Sequence, residues 1–226
     1  GWYQFLLAQH DLDEVNFWTP SAHWGFRGEV GAPFFFKLKA RYDHAICGFA
    51  HFAQYSRLPD WLAWETFGPK NGCPTFESMR ERIGGIRARI DYRAQSPSNE
   101  IGCILLAQPT FFQPDEWVPG PRDWPPANLR HKRYDLTVGE GSRIWEECLA
   151  RARSQQPSPA RRQAVLVREE SRRYGTPQLV TPRLGQGIFR VAVMDAYGRA
   201  CAATQEHSLP ALEASHIQPY AKDGPH

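Results

Sequence analysis

The C-terminal residues of this 226-residue chain place several chemistry-bearing side chains at short spacing. Gln186 to Tyr197 has helical periodicity, with Phe189, Val193 and Tyr197 on or near one face, and Gly198 is positioned to end the helix. Cys201 to Thr204 and Leu212 to Ile217 read as two short strands joined by the polar turn Gln205-Glu206-His207-Ser208. His216 falls at the end of the second strand, before Pro219-Tyr220 and a Gly-Pro loop. A histidine there can exchange a proton near neutral pH, or it can be a hydrogen-bonded hairpin residue. Arg183, Gln186 and Arg190 stand at the front of this C-terminal module. They suit phosphate contact, since guanidinium, amide and helix N-terminus all bind anions; they equally suit packing or capping within the domain.

A second group lies near the N-terminus. Asn16 both donates and accepts hydrogen bonds, Trp18 offers a broad flat face, and strand alternation sends Phe17 to the opposite side. Ser21, Tyr55 and Trp64 complete a set of polar and aromatic candidates whose alternative role is core packing. The five cysteines form no C-x-x-C pair and are odd in number. That argues against an all-cysteine zinc site and against a disulfide framework.

The elements that must position these groups follow from patterning. Trp2 to Leu7 reads as helix; Val15 to Trp18, Pro33 to Leu38, Ala45 to Phe52 and Ile101 to Ala107 read as strands. Leu58 to Phe67, Phe76 to Ile90 and Ile144 to Ala152 carry apolar residues at helical spacing. The expected class is α+β, with a small curled sheet or barrel and interposed helices.

Charge divides the chain. Residues 1–140 carry 15 Lys/Arg and 16 Asp/Glu, a net of −1, whereas residues 151–190 carry nine Arg against two Glu, a net of +7. Such a segment can track phosphates or serve as a solvated linker. All eight tryptophans precede residue 150. The expected organisation is therefore a domain at 1–150, a basic linker at 151–182 and a further module at 183–226. No apolar run reaches the ~18 residues of a membrane span and no secretory signal is evident, so the expected location is the cytoplasm.

The runs R-L-G-Q-G-x-F-R, A-Y-x-x-x-C-A-x-T and L-E-A-x-H-I-x-P-Y, spread over Arg183 to His226, resemble the start of an HNH endonuclease domain of bacterial restriction enzymes. The resemblance implies a ββα-metal fold in which a hairpin and a following helix grip one divalent cation, Mg²⁺ or Mn²⁺. It assigns water activation to His216. Phosphodiester hydrolysis needs a deprotonated water and a cation to neutralise charge on the phosphate, which suits this pairing. Ser215 stands where many such enzymes have a metal-binding Asp or His, and Gln205 stands where a Gly often follows the Thr. The Asn and second His of the signature would fall after His226. The expectation is an HNH module present only in its N-terminal half, so that this chain neither cleaves DNA nor holds the metal stably.

The runs N-F-W-T-P-S, G-x-P-F-F-F-K-L and I-x-G-F-A-x-F, over about Val15 to Phe52, resemble the strands of PUA-like domains. Ala63 to Gly68 and Asn71-Gly72 match elements that accompany HNH domains in restriction enzymes. This resemblance implies a reader that flips a modified base into an aromatic-lined pocket, where aromatic faces replace lost stacking. On that reading Asn16, Trp18, Ser21, Tyr55 and Trp64 line the base pocket. The expected function is DNA recognition within a modification-dependent HNH restriction endonuclease. The partner is double-stranded DNA, and a double-strand cut calls for two sites and hence a homodimer. The alternative is a protein-interaction or small-ligand module that regulates a nuclease.

Overall fold

A computed structural model of the chain describes residues 1–22, 25–89, 99–125, 131–155 and 184–215. The fold is mixed α+β. Four strands, β1 (Glu14–Thr19), β2 (Pro33–Lys37), β3 (Ile46–Pro59) and β4 (Glu100–Phe111), form one open antiparallel sheet in the order β1-β4-β3-β2. Among the described residues the helices are α1 (Trp2–Leu7), α2 (Asp60–Phe67), α3 (Phe76–Arg89), α4 (Gly139–Gln155) and α5 (Gln186–Ala196). No helix among the described residues is long and apolar enough to cross a membrane.

Strand β4 shows why the sheet lies inside. Ile101 to Ala107 is an unbroken buried run, as expected of a strand covered on both faces. Its alternate residues Ile101, Cys103, Leu105 and Ala107 join one core, together with Leu62 and Phe67 of α2, Met79 and Ile83 of α3, and Ile188, Val191 and Met194 of α5. Register then fixes the face of β1: Asn16 lies opposite Leu105 and Trp18 opposite Cys103, while Val15 and Phe17 pair with Leu106 and Ile104.

The chain forms two compact units. The first comprises residues 1–34, 50–109 and 180–226; the second comprises 35–49 and 110–179. Strands β3 and β4 are long enough to contribute to both. The second unit has its own core, in which Ile144 and Cys148, one turn apart on α4, pack with Ile46, Phe49, Phe112 and Val118.

This partition differs from the one drawn on composition at residues 150 and 183. Three buried residues of α5, spaced 188, 191 and 194, present an apolar stripe that belongs to the first unit's core. The two strands expected at 201–204 and 212–217 also differ. Cys201 N bonds to Glu206 O at 2.8 Å and Gln205 N to Cys201 O at 2.9 Å, so that segment closes into a turn with Gln205 at φ 59°. A 3₁₀ turn follows at Leu209–Ala211, and no strand occurs at 212–215. His216 and Arg183 lie outside the described residues.

Candidate functional site

Three segments of the first unit meet at an open concavity of about 390 Å³, within the ~300–1,000 Å³ range of small-ligand sites. The loop residues Gly25, Phe26 and Arg27 form one side. Tyr55, Ser56 and Arg57 from β3 form the second. Asp195, in the last turn of α5, and Arg199, just beyond it, form the third.

The third side is fixed by a polar network. Asp195 Oδ2 accepts hydrogen bonds from Gln54 Nε2 and Ser56 Oγ, both at 2.8 Å, and Oδ1 accepts from Arg199 Nε at 3.1 Å. These bonds clamp the C-terminal end of α5 to β3. The Tyr55 hydroxyl donates to the Ala22 carbonyl at 3.3 Å, and burial pushes its phenol above the ordinary value, against the opposing effect of Arg57. Tyr55 is therefore neutral at pH 7 and presents an uncharged ring. The lining thus combines two aromatic rings, three guanidinium groups and one carboxylate.

The opposite end of α5 is held by a different acid. Glu14, 1% exposed, accepts from Gly187 N at 2.9 Å and Ile188 N at 2.8 Å, and pairs with Lys70 Nζ at 3.0 Å. A carboxylate there satisfies two of the helix's orphan N–H donors and complements its dipole. The glycines of the R-L-G-Q-G run make this approach physically available. A Cβ on Gly187 would lie 2.7 Å from the Phe67 ring and 2.8 Å from Glu14 Oε1, and a Cβ on Gly185 would overlap the same carboxylate.

The residues singled out from sequence divide among these places. Tyr55 lines the concavity. Asn16 is fully buried, donating to Asn71 Oδ1 at 2.9 Å and Cys103 Sγ at 3.3 Å. Trp18 Nε1 donates to the Asn71 carbonyl at 2.9 Å, and Asn71 Nδ2 donates to the carbonyls of Ala63 and Gly68. Asn16 and Trp18 therefore converge on Asn71, which satisfies two carbonyls at the end of α2. They belong to the packed interior between β1 and α2, not to the concavity. Trp64 packs on the same core and on Phe76, with ring centroids 6.3 Å apart. Ser21 gives its carbonyl to Thr19 Oγ1 at 2.9 Å.

Of the phosphate candidates, Arg190 donates to Glu65 Oε1 at 2.9 Å and to the Leu212 carbonyl, and the α5 N-terminus that Gln186 opens is already taken by Glu14. The groups that do line the concavity, Phe26, Arg27, Arg57, Asp195 and Arg199, escape a sequence reading. The available signal was an aromatic residue two positions or fewer before an arginine, in Gly25-Phe26-Arg27 and again in Tyr55-Ser56-Arg57. Among the described residues no group of three His, Cys, Asp or Glu is arranged to hold a metal ion. Comparison with protein-family models, with curated proteins and with solved structures finds no match for the chain.

Proposed function

We propose that the chain is the DNA-recognising part of a modification-dependent HNH restriction endonuclease, and that the concavity receives a nucleotide drawn out of the duplex. The observation that carries this reading is the lining itself. Tyr55 and Phe26, the latter backed by Phe34 and Phe52, put aromatic rings in the lining beside which a base would stack, and Arg27, Arg57 and Arg199 bring positive charge for its backbone. A base that leaves its stack needs a replacement surface, worth ~1–3 kcal/mol per aromatic contact in single-stranded complexes. The arginines supply the salt-dependent part of the affinity. On this reading Asn16 and Trp18 act by holding β1 against α2, while Tyr55 touches the ligand. The antiparallel sheet serves as a PUA-like scaffold, and the segment through His216 begins the HNH module, whose divalent cation and water activation belong to the nuclease step.

Fluorescence anisotropy with the full chain tests the proposal, using unmodified, methylated, hydroxymethylated and phosphorothioate duplexes. Preference for one modified duplex, weakened at least tenfold by Tyr55→Ala, is the expected result. Equal affinity for all four duplexes, or no binding to any, would overturn it. Binding of a free nucleotide together with failure to bind any of the four duplexes would favour the small-ligand alternative, since a cavity of this size also holds a mononucleotide.

A further inference from the structure

The wall that the C-terminal end of α5 gives to the concavity is organised around one guanidinium. Gly198 and Arg199 both adopt positive φ, 61° and 59°. The chain turns back after α5, with Arg199 N bonded to the Met194 carbonyl at 2.7 Å, the 6→1 bond of a Schellman closure. That turn directs the Arg199 side chain onto β3. Its Nε donates to Asp195 Oδ1 at 3.1 Å; its Nη2 donates to Ser56 Oγ at 3.3 Å and to the Arg57 carbonyl.

An arginine has five N–H donors. Three of those of Arg199 are committed in this way, and the two on Nη1 bond to no described residue. Asp195, which fixes the guanidinium, is itself fixed by Gln54 and Ser56. A guanidinium held from three sides loses little freedom when it binds an anion, and its planar fork matches phosphate geometry. Arg27 and Arg57 line the same cavity, so three positive charges face one carboxylate already engaged with Arg199.

We infer that Arg199 is the phosphate anchor of the concavity, and that Asp195 is its positioning residue. The inference rests on the reading of the concavity as a nucleotide site and adds the group that recognises the backbone. It also assigns an essential part of that site to the chain after residue 184, the stretch that resembles the nuclease. Recognition and the start of the catalytic module then share one helix. A cut at residue 150 would remove the anchor along with α5.

The experiment compares 2′-deoxycytidine with 2′-deoxycytidine 5′-monophosphate, binding to the full chain by NMR titration at low salt. The monophosphate should bind at least tenfold tighter. Arg199→Met should abolish the difference, and Arg199→Lys, which keeps the charge without the fork, should leave part of it. Asp195→Asn should reduce it, Arg151→Met in α4 should leave it intact, and Tyr55→Ala should weaken both ligands alike. Circular dichroism establishes that each variant is folded, and the Lys variant decides the matter if the Met variant is not. Equal affinity for the two ligands, no binding of the monophosphate at millimolar concentration, or a preference that survives Arg199→Met would overturn the inference. The duplex experiment separates the two claims. A phosphate preference that depends on Arg199, with no duplex binding, keeps the anchor and removes DNA recognition. A modified duplex bound equally by the native chain and Arg199→Met does the reverse.

Discussion

Replacing Glu14 tests whether α5 is docked on the sheet by its N-terminus. The carboxylate makes two charge-assisted bonds, to Gly187 N and Ile188 N, and a third contact to Lys70, all while 1% exposed. Hydrogen bonds to charged groups contribute about 1.5–3 kcal/mol each, and an orphaned buried donor costs about 1–3 kcal/mol. Glu14→Ala removes the acceptor and strands two amides and part of an ammonium. The expected loss is about 3–5 kcal/mol, in the range for breaking a buried charged pair. Glu14→Gln keeps the shape but turns an NH₂ toward one of the amides, so about half that loss is expected. Because the chain has two compact units, a single melting temperature would blur the effect. Amide hydrogen exchange resolves it. At about 1.4 kcal/mol per decade, exchange along α5 should accelerate roughly 10²- to 4 × 10³-fold in Glu14→Ala. An acceleration below tenfold, or a Glu14→Gln chain as well protected as the native one, would refute the reasoning.

Three further outcomes follow from named contacts. Gly187→Ala should destabilise the first unit by about 1–3 kcal/mol, because the new methyl meets Phe67 and Glu14; Gly84→Ala on α3, where a Cβ meets nothing within 4 Å, should stabilise by about 0.5–1 kcal/mol, and urea titration compares the two. Asn71→Ala should cost about 2–4 kcal/mol, since it removes the bonds to the carbonyls of Ala63 and Gly68 and takes one acceptor from the buried amide of Asn16; a loss under 1 kcal/mol in the same titration would contradict the network. In the second unit, the Arg143 guanidinium and then the Arg122 amide hold the Glu140 carboxyl near 2, against an ordinary 4.5. A carboxyl lowered on folding adds stability above its unfolded value and loses it as the pH falls through the folded one. Carbon-detected NMR titration should therefore show Glu140 ionised until about pH 2 in the native chain and returned toward 4.5 in Arg143→Met.

Much of the secondary structure was legible because burial and hydrogen bonding act locally along the chain. The expected helix at 2–7 is α1, the spacing of Met79 and Ile83 places α3, and Gly198 ends α5. Strand β3 runs seven residues past the expected Phe52, because its second half pairs with the start of β4. The bond from Asp60 N to Asn99 O marks that pairing, and it depends on a partner some forty positions away. The hairpin expected around residues 201–217 gives way, in its described part, to a turn closed between Cys201 and Glu206.

The site divides in the same way. The chain itself determined that residues 186–197 would be an amphipathic helix and that glycines would flank its start, since periodicity and the absence of a side chain are properties of the chain alone. It could not determine which anion the N-terminus of that helix would meet. Folding supplied Glu14, 173 positions away from Gly187, and so removed the helix end from the set of free phosphate sites. Folding also joined residues 25–27, 55–57, 195 and 199 into one concavity, buried Asn16 against Asn71 and left Trp18 half-buried on the same asparagine. An aromatic residue or an arginine reads the same in sequence whether it packs or binds. Only the tertiary structure decides which of its atoms stay exposed to a ligand, because that depends on neighbours brought together by the common core.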